Sequence, residues 1–364
     1  MTLTKFFYFL IGTILTFSLY ATCPDYPHWK TCTPTLVHID DYLVNHSPLV
    51  THHRQVAAFD WDGTLFSEQI ALHDLPQPYT QLNGITFAGQ PAWMIFSAIY
   101  HHGFPAFKAN YPALVNQVLY TENKTLVPVD GYSKYSQAAK YTVGMTPGSL
   151  RRSVDRFLQA YPAENNAFFR VLDILQRAHQ LGYQTWIITG SNPYYVAEVI
   201  RHLQRHYHLN LGVLNANPPT IAGNMARLSA QGKFTLVYDD HFTKNAYQPT
   251  VHYNRDIVDG HGKTLVIQNT IEPHEKAHVA LYVGNSGGDY DAMHFLLARH
   301  QQQPKKFPLL AIAIHPNGES SFASLDQLAH QYPNVQEIEI TKKFGNYLFY
   351  ASCWVMMRRM VYAI

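Results

Sequence analysis

Short apolar runs that end in polar turns recur along this chain. Residues 56–59, 183–189 and 279–283 are the clearest, and each is followed within a few residues by glycine. Apolar runs of this length, bounded by turn residues, predict buried β-strands. Two further runs, 308–314 and 335–340, predict another strand and an edge strand.

Helical periodicity separates these runs. Apolar residues recur from Phe168 to Ala178 at a spacing that gives one apolar helix face, and Gly182 stands where that helix should stop. Asn192 and Pro193 predict the start of another helix, as a cap and a first-turn proline. Strands alternating with helices predict an α/β protein with a parallel sheet. The first of these helices belongs to a segment that begins at Asn165, and the second covers 194–206. Further predicted helices cover 92–101, 113–121 and 149–161.

Residues 67–162 lack the strand and helix alternation of their flanks, although helices are predicted within them. A block of this size predicts a separate, mainly helical unit inserted after the first strand. Residues 210–258 are polar, and only strands and turns can be assigned to them.

The first residues have the layout of a secretory signal peptide: Lys5, an apolar run over 6–20, and the small residue Ala21. An uncleaved membrane anchor is the competing interpretation, but the run is short for a bilayer span. We therefore expect an exported protein without a stable membrane span once the signal is removed. In an oxidising compartment Cys23 and Cys32 could form a disulfide.

Composition adds two points. Hydrophobic residues make up 47% of the chain and charged residues 14%, as expected for a globular protein. The net charge of +2, without any run of basic residues, argues against nucleic acid as a partner.

The candidate chemistry begins where the first strand ends, in Asp60-Trp61-Asp62-Gly63-Thr64. Ligands of parallel α/β sheets bind at the carboxyl ends of the strands, so both carboxylates should face the crevice. One could act as a nucleophile and the other could transfer protons. This pentapeptide resembles the first motif of the haloacid dehalogenase superfamily, most of whose members are magnesium-dependent phosphohydrolases that form an aspartyl-phosphate.

Three later segments resemble the other motifs of that superfamily, in the same order. Thr189-Gly190 follows the second strand, and the resemblance implies that the threonine hydroxyl and the glycine bind the phosphoryl group. Lys263 opens a helix and would balance the negative charge, with Lys276 as the competing lysine. Gly284 to Asp289 resembles the fourth motif, with Asn285 standing where the first acid is expected.

The resemblance implies a three-layer Rossmann-like core and a Mg²⁺ cofactor. Asp60 would be the nucleophile and Asp62 the general acid and base, with Thr189 and Lys263 also catalytic. The implied metal ligands are Asp60, the main-chain carbonyl of Asp62, Asn285 and Asp289. The implied organisation is a signal peptide over 1–21, a core over 22–66 and 163–345, a cap over 67–162 and an apolar tail over 346–364.

The implied function is hydrolysis of a small phosphomonoester, with phosphoserine or a phosphocholine-like amine as the narrower expectation. Glu68 is a candidate contact for a substrate amino group, and Trp93, Tyr100 and Phe104 could build an aromatic cage for a quaternary ammonium. A phosphotransferase of the same fold remains an alternative. So does a non-catalytic binding module, suggested by the neutral Asn285.

Overall fold

A computed structural model describes most of the chain. It covers residues 26–29, 33–67, 69–77, 79–100, 141–217, 219–235, 241–242, 251–252, 257–316 and 323–340. The predicted signal peptide, the cysteines, the helix over 113–121 and the apolar tail lie outside these residues. In the described part of the chain, no helix is both long and apolar enough to cross a bilayer.

A six-stranded sheet, parallel throughout, forms the centre of the molecule. Its strands are β1 (Gln55–Phe59), β4 (Gln184–Ile188), β5 (Ile221–Ala222), β8 (His278–Gly284), β9 (Leu310–Pro316) and β10 (Val335–Ile340). They lie in the order β10-β9-β8-β1-β4-β5. Four short strands form two small antiparallel pairs: β2 (Ile70–Ala71) with β3 (Thr86–Phe87), and β6 (His241–Phe242) with β7 (Val251–His252).

Helices flank this sheet. They are α1 (Pro34–Asn45), α2 (Pro48–Thr51), α3 (Gly89–Tyr100), α4 (Pro147–Ala160), α5 (Phe169–Gln180), α6 (Pro193–Tyr207), α7 (His261–Val266), α8 (Glu272–Glu275), α9 (Gly287–Gln302) and α10 (Ala323–Gln331). A π-helical segment, Ile267–Ile271, joins α7 to α8, and short 3-10 helices span Tyr79–Leu82 and Ala163–Asn165.

Alternation along the strands produces two hydrophobic layers. In β1, Ala57 and Phe59 pack into a cluster with α1, α3, α4, α5 and α6. Val56 and Ala58 point to the opposite face, into a cluster with α7, α9 and α10. Helices on both faces of a parallel sheet make a three-layer, Rossmann-like α/β fold, so the fold class predicted from the sequence is confirmed.

Some element boundaries differ from the sequence prediction. The helix expected from Asn165 begins at Phe169, because Ala167 forms an isolated β-bridge with Phe66 and so cannot be helical. The helix expected at Lys263 begins earlier, at His261. Gly182, with φ of +88°, follows α5 as predicted, in a backbone conformation that favours glycine.

The described residues of 67–162 pack directly on the core. Trp93 of α3 and Phe157 of α4 belong to the same buried cluster as Phe59 of the central strand. Arg151 of α4 also pairs with the buried Glu198 of α6, at 2.9 Å. Whether 67–162 acts as a cap remains a prediction, but its described helices are joined to the core by a continuous hydrophobic layer.

Candidate active site

Three neighbouring strands, β4, β1 and β8, place their following residues at one edge of the sheet. Asp60 follows β1, Thr189 follows β4, and Asn285 follows β8. The strand ends are level, since Phe59 is in register with both Ile187 and Val283. The parallel topology therefore gathers side chains that are far apart in sequence into one crevice.

Lys263 lies at the centre of this edge. Its Nζ donates to Oδ1 of Asp60 and to Oδ1 of Asp289, both at 2.7 Å. All three side chains are almost completely buried. The segment before the lysine is held by a backbone hydrogen bond of 2.9 Å from Gly260 to Gly288, which docks α7 against the start of α9.

Asp289 has both carboxylate oxygens occupied by hydrogen bonds. Oδ1 accepts from Lys263 at 2.7 Å and from the Tyr282 hydroxyl at 2.8 Å. Oδ2 accepts the backbone N–H groups of Asn285 and Ser286, at 3.0 and 3.2 Å, and Asp289 completes a capping box with Ser286 at the start of α9. The structure thus places Asp289 as the partner of Lys263 and as a helix-capping residue.

The Thr64 hydroxyl connects Asp60, the candidate nucleophile, to the side-chain amide of Asn285. The Thr64 hydroxyl lies 3.1 Å from Oδ2 of Asp60 and 3.2 Å from Oδ1 of Asn285. Gly63, with φ of +75°, packs so closely that a Cβ there would lie 1.9 Å from Nδ2 of Asn285. The turn after β1 therefore fixes the Asn285 amide, with its oxygen on the side of Asp60.

Asp62 faces the loop after β4. Its Oδ2 accepts hydrogen bonds from the Thr189 hydroxyl at 3.1 Å and from the Ser191 hydroxyl at 2.7 Å. The Thr189 hydroxyl in turn accepts the Ser191 N–H at 2.9 Å. Asp62 is half-buried, whereas Asp60 is only 3% exposed, so the two acids occupy different environments.

The charges in the site perturb one another. Burial raises the pKa of Asp60, the charges of Asp289 and Asp62 raise it further, and Lys263 opposes them, with a net shift well upward. Burial alone would lower the pKa of Lys263, but Asp289 and Asp60 raise it well above its ordinary value. The Lys263 ammonium is therefore a fixed positive charge. It contacts two carboxylates, Asp60 and Asp289, and its single charge balances only one of them.

The inserted segment contacts the site through α3. Oε1 of Gln90 accepts a hydrogen bond from the backbone N–H of Asn192, the residue that caps α6. The ring of Trp93 stacks on Tyr195 with centroids 5.2 Å apart. Trp93 is 1% exposed, so it is a packing residue here and not an open cage wall.

Two buried donors at the start of α6 make no hydrogen bond with the part of the chain that is described. They are Nδ2 of Asn192 and the hydroxyl of Tyr195. Burial and the nearby Asp62 raise the pKa of Tyr195, so its hydroxyl keeps its proton. Both side chains are almost completely buried.

The structure brings together most of the residues singled out from the sequence, and leaves others apart. Asp60, Lys263, Asn285 and Asp289 are linked by hydrogen bonds, directly or through Thr64. Asp62 and Thr189 form a second hydrogen-bonded group, and the charge of Asp62 acts on Asp60. The competing lysine, Lys276, caps α8 in a left-handed conformation. The carbonyl of Gly190 accepts from the Asn224 amide at 2.9 Å. Glu68 lies outside the described residues.

Sequence reasoning missed Thr64, Ser191 and Tyr282. Thr64 ends the pentapeptide that begins at Asp60, and Ser191 directly follows Gly190, so both could have been noticed as hydroxyls that follow a strand. Tyr282 had no signal, because within an apolar strand it is indistinguishable from a packing residue.

Fold and site together define a three-layer α/β protein with a buried carboxylate and lysine centre at the carboxyl edge of its sheet. No family model matches the chain, and no curated protein matches it. Solved structures with a related architecture exist. The chain is similar to a protein of unknown function from Bordetella pertussis, with a TM-score of 0.48 and 13% identity over 79% of this chain and 98% of that one.

This chain is also similar to two further solved structures. One is a conserved, functionally unknown protein from Anaerococcus prevotii, with a TM-score of 0.45 and 10% identity over 81% of this chain and 88% of that one. The other is a phosphoserine phosphohydrolase-like protein from Francisella tularensis, with a TM-score of 0.36 and 12% identity over 77% of this chain and 94% of that one. The function has to be inferred from the site itself.

Proposed function

We propose that the protein is a phosphomonoester hydrolase of the haloacid dehalogenase type, acting through an aspartyl-phosphate on a small substrate. The observation that carries the proposal is the buried contact of Lys263 with both Asp60 and Asp289, at 2.7 Å each. Lys263 holds a fixed positive charge against Asp60 at the carboxyl edge of the sheet. Together with a bound Mg²⁺, this charge would offset the negative charge of a phosphomonoester whose phosphorus is attacked by Asp60.

In the proposed first step, a carboxylate oxygen of Asp60 attacks phosphorus and the bond from phosphorus to the substrate alcohol breaks. Asp62 donates its proton to the departing alkoxide. In the second step, Asp62 takes a proton from water, the hydroxide attacks phosphorus, and the bond to Asp60 breaks. Thr189 and Ser191, which donate to Oδ2 of Asp62, hold that carboxyl in place for both transfers.

The donor set fits Mg²⁺. Oδ2 of Asp60 and Oδ1 of Asn285 are hard oxygen donors gathered around Thr64, and Mg²⁺ accepts a few such ligands while keeping several waters. A bound Mg²⁺ would supply charge neutralisation at the phosphoryl oxygens. Asp62 would contribute its main-chain carbonyl as a ligand. Asp289 already accepts a hydrogen bond from Lys263. It would therefore either not bind the metal or give up one of its present hydrogen bonds to do so.

The substrate side of the site is proposed to lie between α3 and the start of α6. Asn192 and Tyr195 bring buried donors there, and Gln90 of the inserted segment contacts the same loop. We propose that residues 67–162 act as the cap that selects the substrate, with phosphoserine and phosphocholine as the first compounds to try. Export after cleavage at Ala21 is also part of the proposal, and N-terminal sequencing of the mature protein tests it.

The decisive experiment measures phosphate release from a panel of small phosphomonoesters, with Mg²⁺ or with EDTA. Wild type should turn over at least one of them only with the metal, and Asp60→Asn, which keeps the shape of the side chain, should lose at least about 1,000-fold in kcat. Mass spectrometry of quenched wild type should find phosphate on the peptide containing Asp60. Inertness of wild type across the panel would refute a hydrolase, and transfer to an added alcohol instead of water would identify a phosphotransferase.

A second arm tests the metal ligand. Asn285→Asp restores a carboxylate beside Asp60, so the concentration of Mg²⁺ that gives half-maximal activity should fall by about tenfold, which corresponds to 1.4 kcal/mol. An unchanged Mg²⁺ dependence would show that residue 285 does not bind the metal.

A further inference from the structure

A second cluster of metal-ligand side chains lies away from the site around Asp60 and shares no residue with it. One ligand atom each from His315, Asp326 and Glu337 come within 4.8 Å of one another. Among the residues that the structure describes, no other place brings three such atoms this close. The three side chains come from β9, α10 and β10, so tertiary structure alone assembles them.

Strand alternation explains why the three side chains share one face. Ala311 and Ala313 of β9 pack in the layer with α9 and α10, and His315 follows them at the same parity. Glu337 is in register with Ala313, so it is the diagonal neighbour of His315. The helix that covers this face is α10, which carries Asp326.

The separations fit a small tetrahedral ion. Nε2 of His315 lies 3.3 Å from Oε1 of Glu337. Ligands on Zn²⁺ at about 2.1 Å are about 3.4 Å apart in a tetrahedron, so this pair already has the required spacing. Bringing Asp326 to the same spacing needs a movement of no more than about 1.5 Å.

A divalent cation would balance both carboxylates, whereas a protonated His315 would balance only one of them. His315 and Asp326 are half-buried and Glu337 is exposed, so the cation would lie at the surface. A histidine with two carboxylates is also a donor set that suits Zn²⁺ and related transition metals better than Mg²⁺. We propose that His315, Asp326 and Glu337 form a second divalent-metal site, of the type that binds Zn²⁺.

Asp326 is open to solvent on one side, because it lines a shallow depression at the surface of α10 together with Gln327, His330 and Gln331. A water would complete the coordination from this side. By joining β9, α10 and the edge strand β10, the metal would stabilise this end of the sheet.

The test is a Zn²⁺ titration of the full-length protein by calorimetry, with thermal unfolding measured in parallel. His315→Ala and Glu337→Gln should each weaken binding by at least about 100-fold, since even outer-shell partners contribute 10- to 100-fold. Zn²⁺ should raise the Tm of wild type but not of these variants. Two independent variants keep the test valid if one of them fails to fold.

A matched control variant defines the site. His274 lies 3.2 Å from Glu275, nearly the same separation as the proposed pair, but belongs to no three-residue cluster in the described part of the chain. His274→Ala should therefore bind Zn²⁺ as wild type does. Failure of wild type to bind Zn²⁺, unchanged binding by His315→Ala and Glu337→Gln, or an equal loss of binding in His274→Ala would each overturn the proposal. None of these outcomes depends on phosphatase activity.

Discussion

At the scale of single residues, the site is dominated by one buried cation. Lys263 is surrounded by carboxylates whose mutual repulsion it reduces, and removing it would leave them buried without compensation. A buried charge without a partner is among the most costly defects in a protein. The lysine is thus a structural requirement of the site, and the proposed function makes it a chemical requirement as well.

Lys263→Met tests this requirement. We expect phosphatase activity to fall by at least about 100-fold, because the pKa of Asp60 would rise further and the nucleophile would be protonated. The free energy of unfolding should fall by about 3–5 kcal/mol. Lys276→Met is the matched control, since that lysine caps α8 outside the site, and equal activity losses in the two variants would contradict the assignment.

Gly63 tests the packing of the Asn285 amide. Gly63→Ala would place a Cβ 1.9 Å from Nδ2 of Asn285, and it would also force alanine into φ of +75°. Gly84 has φ of +80° with nothing within 4 Å, so Gly84→Ala measures the backbone cost alone, about 1 kcal/mol. We expect Gly63→Ala to lower stability more than Gly84→Ala does and to abolish Mg²⁺-dependent activity. Equal effects on both properties would show that the contact with Asn285 is unimportant.

At the scale of elements, a partly buried ion pair holds the segment before β8. Glu272 of α8 accepts two hydrogen bonds from Arg299 of α9, at 2.8 and 2.6 Å, and one from the Val279 N–H at 3.1 Å. Arg299 also lies over the Phe307 ring, at 4.5 Å. This pair ties α8, α9 and β8 together, and so supports the strand that carries Asn285.

The ion pair should make stability depend on pH. Burial would raise the pKa of Glu272, but Arg299 and Val279 lower it overall. A carboxyl group whose pKa is lower in the folded protein than in the unfolded chain stabilises the folded state at pH values above the unfolded pKa, which is about 4.3 for glutamate. This stabilisation is lost as the pH falls through the pKa of the folded protein.

Glu272→Gln should therefore lower the free energy of unfolding by about 1–3 kcal/mol at neutral pH. The difference in the free energy of unfolding between this variant and wild type should be constant above about pH 5 and shrink below about pH 4. Denaturant unfolding at a series of pH values measures this. His278→Ala removes a contact 3.5 Å from Glu272 and an edge contact with the Phe307 ring. Because His278 is half exposed, this variant should change stability by less than about 1 kcal/mol, with no dependence on the charge of Glu272 comparable to that of Glu272→Gln. A pH-independent difference for Glu272→Gln would contradict the role of the charge.

At the scale of the whole molecule, one hydrophobic layer joins the inserted segment to the sheet. Phe157 is fully buried in the same cluster as Phe59, and neither unit can lose its packing without exposing the other. We therefore expect one cooperative unfolding transition for the described core and the inserted helices.

Phe157→Ala should lower the free energy of unfolding by about 3–5 kcal/mol while the transition stays single. Far-UV circular dichroism and tryptophan fluorescence should give coincident curves. Leu49→Ala, at a side chain that is 63% exposed, should change stability by no more than about 0.5 kcal/mol. Two separated transitions in Phe157→Ala would mean that the inserted segment folds on its own.

The amino-acid sequence by itself determined the class of fold and the positions of the chemistry. Strand and helix periodicities are local properties, so β1, β4, β8 and the helices between them could be predicted, as could the polar residues that end each strand. Alternation within a buried strand also implied two covered faces. Element boundaries such as the start of α5 escaped prediction, because the bridge between Phe66 and Ala167 is a long-range contact.

Only the tertiary structure decided which side chains touch. Several hydrogen bonds join segments that are distant in sequence. Lys263 donates to Asp289, and Thr64 bridges Asp60 and Asn285. Ser191 donates to Asp62. The cluster of His315, Asp326 and Glu337 is of the same kind. Hydrogen bonds and ion pairs depend on distances that are set when strands pair and helices pack, and no local pattern of residues encodes those distances.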